Sequence, residues 1–218
     1  MSDATTDLTD AIRQAIFTGE YAPKQRLIEG ELAQEYSISR FVVHNALLQL
    51  AGEGLVEIQQ NRGARVRAIS LEEAIEITDL REVVEGLVAA RAAERITEDA
   101  AHGLRELAEK MRKAVLEDLD VGTYAQLADE LHRRLGEISH HATALKLLKQ
   151  LNAPMVREQF RMALSPGRPV SGLEQHLAIV EAICAKDAEK AEKLMREHLS
   201  QVRRTLISLN AERRVETN

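Results

Sequence analysis

The apolar positions near the start of the chain recur at helical spacing. Leu8, Ile12 and Ile16 are each four residues apart, so they lie on one face of a helix. Gly19 and then Pro23 end the pattern, because glycine favours a helix C-terminus and proline cannot continue a helix. These residues predict a first amphipathic helix that ends near Gly19.

Two shorter helical patterns follow this turn. Their apolar positions are Leu32, Ala33 and Tyr36 in the first and Val43, Ala46, Leu47 and Leu50 in the second. Ser39 precedes the second pattern, where its hydroxyl can cap the free backbone amides of a helix N-terminus. Gly52 and Gly54 end that helix. The sequence thus predicts a second and a third helix, and the third docks its apolar face onto the other two.

Apolar and polar residues then alternate, as they do in strands. Residues 55–58 and 64–69 form two alternating runs around Asn61-Arg62-Gly63, in which Asn61 or Gly63 can adopt the positive φ of a hairpin tip. Helices followed by such a hairpin are typical of a winged helix-turn-helix domain. Because the third helix would present its first turn to a DNA groove, DNA binding is the leading hypothesis.

After Ile69 every segment has helical periodicity and high helix propensity. We predict six helices, at residues 71–95, 98–117, 121–140, 142–163, 170–185 and 188–210. Thr97 is the predicted N-cap of the second of these. The predicted fold class is mainly α, with a winged helix-turn-helix domain at residues 1–69 and an all-α six-helix bundle at residues 70–218.

Composition narrows the class of protein. The single cysteine, Cys184, excludes an intrachain disulfide, and a buried thiol in a reducing cytosol accounts for it. The chain has no apolar run of the ~18 residues that a membrane span needs, and its acidic N-terminus is unlike a signal peptide. We expect a cytoplasmic protein that does not engage a membrane.

The formal net charge of -6 is unusual for a DNA-binding protein. The basic residues are nevertheless concentrated at the expected DNA surface: Arg40 begins the third predicted helix, and Arg62, Arg65 and Arg67 surround the hairpin. This local placement matters more than the total charge, because phosphate contacts act within a Debye length of about 8 Å at physiological salt.

Three histidines, His132, His176 and His198, each lie on a different helix of the predicted bundle. Three neutral imidazoles from separate helices, with a coordination position left open, suit Zn²⁺, Ni²⁺ or a similar ion. From the residues alone, a surface or satisfied structural role for each histidine is the alternative.

Motifs in both domains point to one protein family. The first domain contains Leu27-x-Glu29-x-x-Leu32-Ala33, Ser39-Arg40, Ala46-Leu47-x-x-Leu50, Glu53-Gly54-Leu55-Val56 and Arg62-Gly63. The second contains Arg81-x-x-x-Glu85, His132, His176-x-x-Ile179-Val180-Glu181-Ala182-Ile183 and Met195-x-x-His198-Leu199. With these motifs the chain resembles a GntR-type transcriptional regulator that carries a C-terminal domain of the FadR type, an FCD domain. Six predicted helices in that domain are more similar to the VanR subgroup.

The resemblance implies a homodimer that binds a palindromic operator in double-stranded DNA. It also implies that the operator is released, or gripped differently, when a small carboxylate effector enters the helical domain, which would serve effector binding and dimerisation. By position, the residues for the major groove are Ser39, Arg40, Val42 and His44, and those for the minor groove are Arg62 and Gly63 in the wing. Arginine can bind guanine bidentately, and glycine lets the hairpin backbone lie close to the duplex.

The chain departs from the family pattern on the DNA-binding side. Residues 41–45 read Phe-Val-Val-His-Asn where the family usually has Thr-Pro-Val-Arg-Glu, so His44 replaces a reading arginine. His44 could donate a hydrogen bond to guanine, and a solvated surface imidazole is the alternative. Gly30 stands where an arginine is common in the preceding helix. We therefore expect fewer charge contacts, a shallower salt dependence of DNA binding and a different operator sequence.

The resemblance further implies that His132, His176 and His198 are metal ligands, with Zn²⁺ or Ni²⁺ as the ion. The fourth family ligand, an aspartate four residues before the first histidine, is replaced here by Ala128. Asp129 lies on nearly the same helix face, but its side chain points about 100° away from the usual direction. Either Asp129 completes the site, or water or an effector carboxylate does.

Arg81 is the candidate for binding the effector, because a guanidinium matches a carboxylate geometrically. The alternative for Arg81 is an ion pair with Glu85, four residues later on the same helix.

The leading prediction is a metabolite-responsive transcriptional regulator, a repressor, and not an enzyme. A constitutive DNA-binding protein with a purely structural metal is the alternative. A metal-dependent hydrolase is less favoured, because no positioned general base, nucleophile motif or phosphate-binding loop accompanies the histidines.

Overall fold

A computed structural model describes residues 3–59, 63–152, 155 and 167–216 of the chain. Within these residues the chain forms nine helices and three strands, arranged in two compact units. The first unit contains the described residues up to Ser70 and the helical residues from Lys149, and the second contains Leu71–Leu148 and the residues from Gly167. No helix in the described ranges is long and apolar enough to cross a membrane.

The first unit has the element order of a winged helix. Its elements are α1 (Asp3–Thr18), β1 (Arg26–Leu27), α2 (Glu29–Glu35), α3 (Arg40–Gly52), β2 (Val56–Gln59) and β3 (Gly63–Val66). The three strands form an antiparallel sheet in the order β1-β3-β2, in which Leu27 lies opposite Ala64 and Val56 lies opposite Val66.

The apolar periodicity of the sequence builds the core of this unit. Helices α1 and α2 both pack against α3, and Ile12, Val43 and Leu47 are completely buried. Gly19 adopts a φ of +83° directly after α1, as the predicted helix end requires. The predicted first helix is therefore confirmed, including its end.

The second unit is built from helices alone. They are α4 (Leu71–Arg95), α5 (Glu98–Leu116), α6 (Val121–Ser139), α7 (Ala142–Asn152), α8 (Arg168–Cys184) and α9 (Ala188–Glu216), and the residues of α7 from Lys149 onward group with the first unit. Helix α4 packs against α6, α8 and α9, and α8 also packs against α5. The Thr97 hydroxyl accepts a hydrogen bond from the Ala100 amide and so caps α5, as predicted.

The predicted fold class is confirmed, whereas several element boundaries differ. The last helix continues to Glu216 rather than residue 210, and β3 ends at Val66 rather than residue 69. The fourth helix of the bundle was predicted at residues 142–163; α7 ends at Asn152, and residues 156–163 lie outside the described part of the chain.

Candidate functional site

The third helix presents its N-terminal turn to solvent. The Ser39 hydroxyl accepts a hydrogen bond from the Val42 amide at 3.3 Å, so the predicted N-cap is confirmed. Arg40 is exposed, and Phe41 beside it is 74% exposed. Val42, by contrast, is half-buried and packs against the core of the first unit. The exposed side chains of this turn are therefore the ones positioned to contact a ligand.

Two residues of α2 touch the exposed side chains of α3. His44 Nδ1 lies 2.8 Å from Glu29 Oε1. The Arg40 guanidinium lies across Gly30, with Nη2 3.1 Å from the position that a Cβ would occupy there. Arg40 and His44 are four residues apart, so they share one face of α3. Helix α2 thus supports both polar side chains of that face.

Contacts within the protein explain why residue 63, in the wing, is a glycine. Gly63 adopts a φ of +81°, as the hairpin pattern allowed, and a Cβ at this position would clash with the carbonyl oxygen of Leu27. Glycine is therefore required by the close approach of β1 to the hairpin. Its contact with DNA stays a prediction, and Arg62, the second predicted wing residue, lies outside the described residues.

The three predicted histidines come together in the second unit. His132 on α6, His176 on α8 and His198 on α9 place their ligand atoms within 4.8 Å of one another. The ring centroids are 4.6 Å apart for His176 and His198, and 5.4 Å and 5.6 Å from His132 to these two rings. This histidine cluster could hold a metal ion.

Each ring of the histidine cluster is held through its Nδ1 atom. His132 Nδ1 lies 2.6 Å from Glu85 Oε2, and His198 Nδ1 lies 2.9 Å from Gln175 Oε1. His176 Nδ1 is 3.0 Å from the hydroxyl of Tyr124. With Nδ1 engaged in all three rings, Nε2 is the nitrogen left to ligate an ion, and such outer partners orient histidine ligands in metal proteins.

The environment keeps two of these imidazoles neutral. Burial lowers the pKa of His176 well below its ordinary value, and the neighbouring His132 lowers it further. Burial likewise lowers the pKa of His198, with His176 adding to the effect. His176 Nε2 is buried without a hydrogen-bond partner among the described residues. A buried, neutral and unpartnered imidazole nitrogen fits a metal ligand, because a lone polar atom is otherwise costly to bury.

Glu85 joins the cluster to Arg81. Arg81 Nε donates to Glu85 Oε1 at 2.7 Å, and both side chains are buried. Burial alone would raise the pKa of Glu85, but Arg81 and His132 outweigh it and lower the pKa to about 2. The ion pair that the spacing of Arg81 and Glu85 allowed is thus present, and effector binding by Arg81 stays a prediction.

The structure places Ala128 and Asp129, the two positions considered for a fourth metal ligand, in different surroundings. Ala128 packs against the core of the bundle, and Asp129 is exposed and is not a member of the histidine cluster. Although the residue as a whole is exposed, partial desolvation of its carboxyl raises the pKa of Asp129, while the charges of His132 and Arg81 lower it, so the carboxyl lies within their electrostatic reach. Coordination by Asp129 stays a prediction.

Four residues around the histidines were not predicted from the sequence. They are Tyr124, Arg168, Gln175 and, in its contact with His132, Glu85. Tyr124 and Arg168 each precede a histidine of their own helix by eight residues, so helical periodicity could have found both. Gly172 gives the Tyr124 hydroxyl its room, because a Cβ there would lie 2.7 Å from that oxygen. Gln175 offers no comparable signal.

Family models cover most of the chain. Residues 4–66 match the model described as bacterial regulatory proteins, gntR family, and residues 76–201 match the FCD domain. Both models fall on the units that carry the α3 surface and the histidine cluster, respectively.

Relatives of known class are similar over most of their length. The HTH-type transcriptional repressor RspR of Escherichia coli (strain K12) is 29% identical over 191 residues, which are 88% of this chain and 83% of that protein. The probable D-xylose utilization operon transcriptional repressor of Paenarthrobacter nicotinovorans is 30% identical over 172 residues, 79% and 75% of the two chains.

A solved structure shares the fold. E. coli McbR/YncC superposes with a TM-score of 0.83 at 22% sequence identity, over 96% of this chain and 100% of that one.

The family consists of transcriptional regulators rather than enzymes. The chain therefore belongs to the gntR family of bacterial regulatory proteins, as a DNA-binding transcriptional regulator whose second domain is an FCD domain.

Proposed function

We propose that this protein is a repressor whose affinity for its operator is set by a small organic acid bound beside a metal ion in the histidine cluster. The observation that carries the proposal is the convergence of three histidines whose Nδ1 atoms are all held, with Nε2 of His176 buried and unpartnered among the described residues. Repression is supported by the names of two relatives, of which one is called a transcriptional repressor and the other a probable transcriptional repressor.

His132, His176 and His198 would hold the ion, and three imidazole nitrogens favour Zn²⁺ or Ni²⁺. When bound, the ion supplies a positive charge that attracts an anionic effector. Water, the effector carboxylate or Asp129 would complete its coordination. The chain itself fixes the three rings through Glu85, Gln175 and Tyr124.

A second cationic group lies next to the cluster. Arg168 begins α8, two helical turns before His176, and its Nη1 donates to Gln175 Oε1 at 3.2 Å. Burial lowers the pKa of Arg168, because its positive charge is partly removed from water. A bound anion would balance this charge and so stabilise the site. A guanidinium has further donors to offer a carboxylate. Arg168 therefore joins Arg81 as a candidate for binding the effector, because Arg81 Nε is held by Glu85 while its Nη1 is buried without a hydrogen-bond partner among the described residues.

On the DNA side, Arg40 and His44 of α3 enter the major groove, with Ser39 and Val42 beside them. Arg62 and Gly63 of the wing approach the adjacent minor groove. The exposure of Arg40 and His44 on one face of α3 supports this arrangement. Phe41, exposed on the same turn, adds an apolar side chain of the kind that contacts a thymine methyl group.

The experiment that tests this function measures operator release. An operator is first selected from randomised duplex DNA, and its affinity is then followed by fluorescence anisotropy while mono-, di- and tricarboxylates are titrated. We expect at least one carboxylate to weaken binding by about 5- to 150-fold for Zn²⁺-loaded protein, which is the range of typical allosteric coupling. Chelator-treated protein should not respond. If neither the carboxylates nor removal of the metal changes the affinity for the operator, the protein is instead a constitutive DNA-binding protein with a purely structural metal.

A homodimer is part of the proposal. Leu80, Val83 and Leu87 lie on one face of α4 and are 55%, 54% and 37% exposed, which gives the helix an apolar stripe. Such a stripe fits a twofold interface in which the same patch of two copies meets.

Charge placed on this stripe should dissociate the dimer. We expect the Leu80→Glu/Val83→Glu variant to sediment as a monomer at concentrations at which the wild-type chain is a dimer, because paired glutamates would face each other across the twofold axis. Leu116→Glu/Leu119→Glu, which alters exposed leucines elsewhere, is the matched control. If the Leu80→Glu/Val83→Glu variant remains a dimer, the dimer interface lies on another surface.

A further inference from the structure

The contact between His44 and Glu29 restricts how His44 can read a base. A carboxylate only accepts hydrogen bonds, so the 2.8 Å contact makes Nδ1 of His44 the donor. Rotating the ring by 180° would place a carbon against the carboxylate and break the bond. The contact therefore fixes both the orientation of the ring and the nitrogen that carries the proton.

The other ring nitrogen, Nε2, is the one left free of this contact to pair with a base. In the neutral imidazole, a proton on Nδ1 leaves Nε2 as an acceptor. The base edges that offer a hydrogen in the major groove are the amino groups of adenine and cytosine, whereas guanine and thymine offer acceptors there. A ring without Glu29 could exchange tautomers and pair with either class. Glu29 thus narrows the choice of base without needing to contact DNA.

Building on the proposed DNA-reading role of α3, we propose that Glu29 is a specificity-determining positioning residue, which holds His44 so that it selects adenine or cytosine at one position of each operator half-site. Both side chains suit this role because both are accessible: that of His44 is 48% exposed and that of Glu29 is 33% exposed. Their ion pair adds little stability at such exposure, so its main effect is on the geometry of the ring.

The test is a selection from randomised duplex DNA at pH 8.5. Wild-type protein, Glu29→Gln, His44→Ala and the double variant are compared. Glutamine keeps the size of glutamate but can donate as well as accept, so it no longer fixes the tautomer. Glu31→Gln removes the same charge from an exposed neighbour on α2 and is the matched control.

We expect the wild-type protein to prefer adenine or cytosine at one position by about tenfold, the usual cost of a mismatched base pair being ~1–3 kcal/mol. Glu29→Gln should reduce this preference to about threefold or less, because the ring then accepts both classes of base. The position read by Arg40 should not change. In the His44→Ala background, Glu29→Gln should have no further effect, since the two residues act as one unit.

A Glu29→Gln variant that keeps the wild-type preference at that position would overturn the proposal, as would an effect of Glu29→Gln that survives in the His44→Ala background. The first outcome would show that the ring needs no partner, and the second that Glu29 acts on DNA by itself. If the wild-type protein enriches a clear operator and His44→Ala changes no position, His44 does not read a base. A wild-type protein that enriches no sequence would refute the reading role of α3 itself, which distinguishes the failure of the proposed function.

Discussion

Replacing His176 and His198 together with alanine is expected to abolish metal binding. The wild-type chain, purified without chelator, should carry about one transition-metal ion, because three convergent imidazoles satisfy most of a tetrahedral coordination sphere. The double variant keeps only His132, and one imidazole does not retain an ion through purification. Elemental mass spectrometry of the two proteins, with the ion expressed per chain, makes the comparison.

Two controls separate removed ligands from disrupted structure. His44→Ala/His102→Ala removes two histidines outside the cluster and should keep the metal. The second control, His132→Ala, removes one proposed ligand with less disruption of the packing. The side chain of His132 is 18% exposed, so its truncation leaves a smaller cavity than truncation of the buried pair. Metal retained at wild-type content by a folded His176→Ala/His198→Ala variant would refute the site. A wild-type chain that stays empty after incubation with Zn²⁺ and Ni²⁺ would show that the replacement of the family aspartate by Ala128 has disabled it.

The helices could be predicted because their signals are local. The i, i+4 spacing of Leu8, Ile12 and Ile16 and the caps at Ser39 and Thr97 depend only on neighbouring residues, and the structure confirms them. Strand β1 could not be predicted from its own two residues. It exists because Arg26 and Leu27 pair with β3, a contact between segments distant in sequence. Short edge strands of this kind are fixed by tertiary pairing rather than propensity.

Part of the candidate site could likewise be predicted from the sequence, and part could not. Convergence of His132, His176 and His198 was predicted, and the structure brings them together. The residues that hold their rings were not predicted, because contacts such as that of Tyr124 with His176 join different helices. The spacing of Tyr124 indicates only that it shares a helix face with His132. The sequence placed Glu85 only beside Arg81, whereas its second oxygen lies against His132 on another helix.

Replacing Arg40 with alanine is expected to abolish specific operator binding while leaving the proposed dimer and the proposed metal ion intact. A bidentate arginine contact with guanine contributes about 1–3 kcal/mol of discrimination between bases. A twofold complex contains two such contacts, so the alanine variant would lose ~2–6 kcal/mol of discrimination in total. Specific sites are bound only ~4–10 kcal/mol more tightly than random DNA, so the substitution removes much or all of the specificity. Arg40 is exposed on the first turn of α3, so its truncation should not affect folding.

The measurement compares operator and random duplex DNA over a range of salt concentrations. If Arg40 reads a base, the alanine variant should bind the operator alone more weakly, with the salt dependence nearly unchanged. If Arg40 instead binds a phosphate, the variant should bind both DNAs equally more weakly, and the salt slope should fall by about 0.9 for each phosphate that is no longer neutralised. Arg112→Ala, an exposed arginine of α5, is the control for removing a positive charge. Operator selectivity unchanged by Arg40→Ala would refute the assignment of the first turn of α3 as the reading surface.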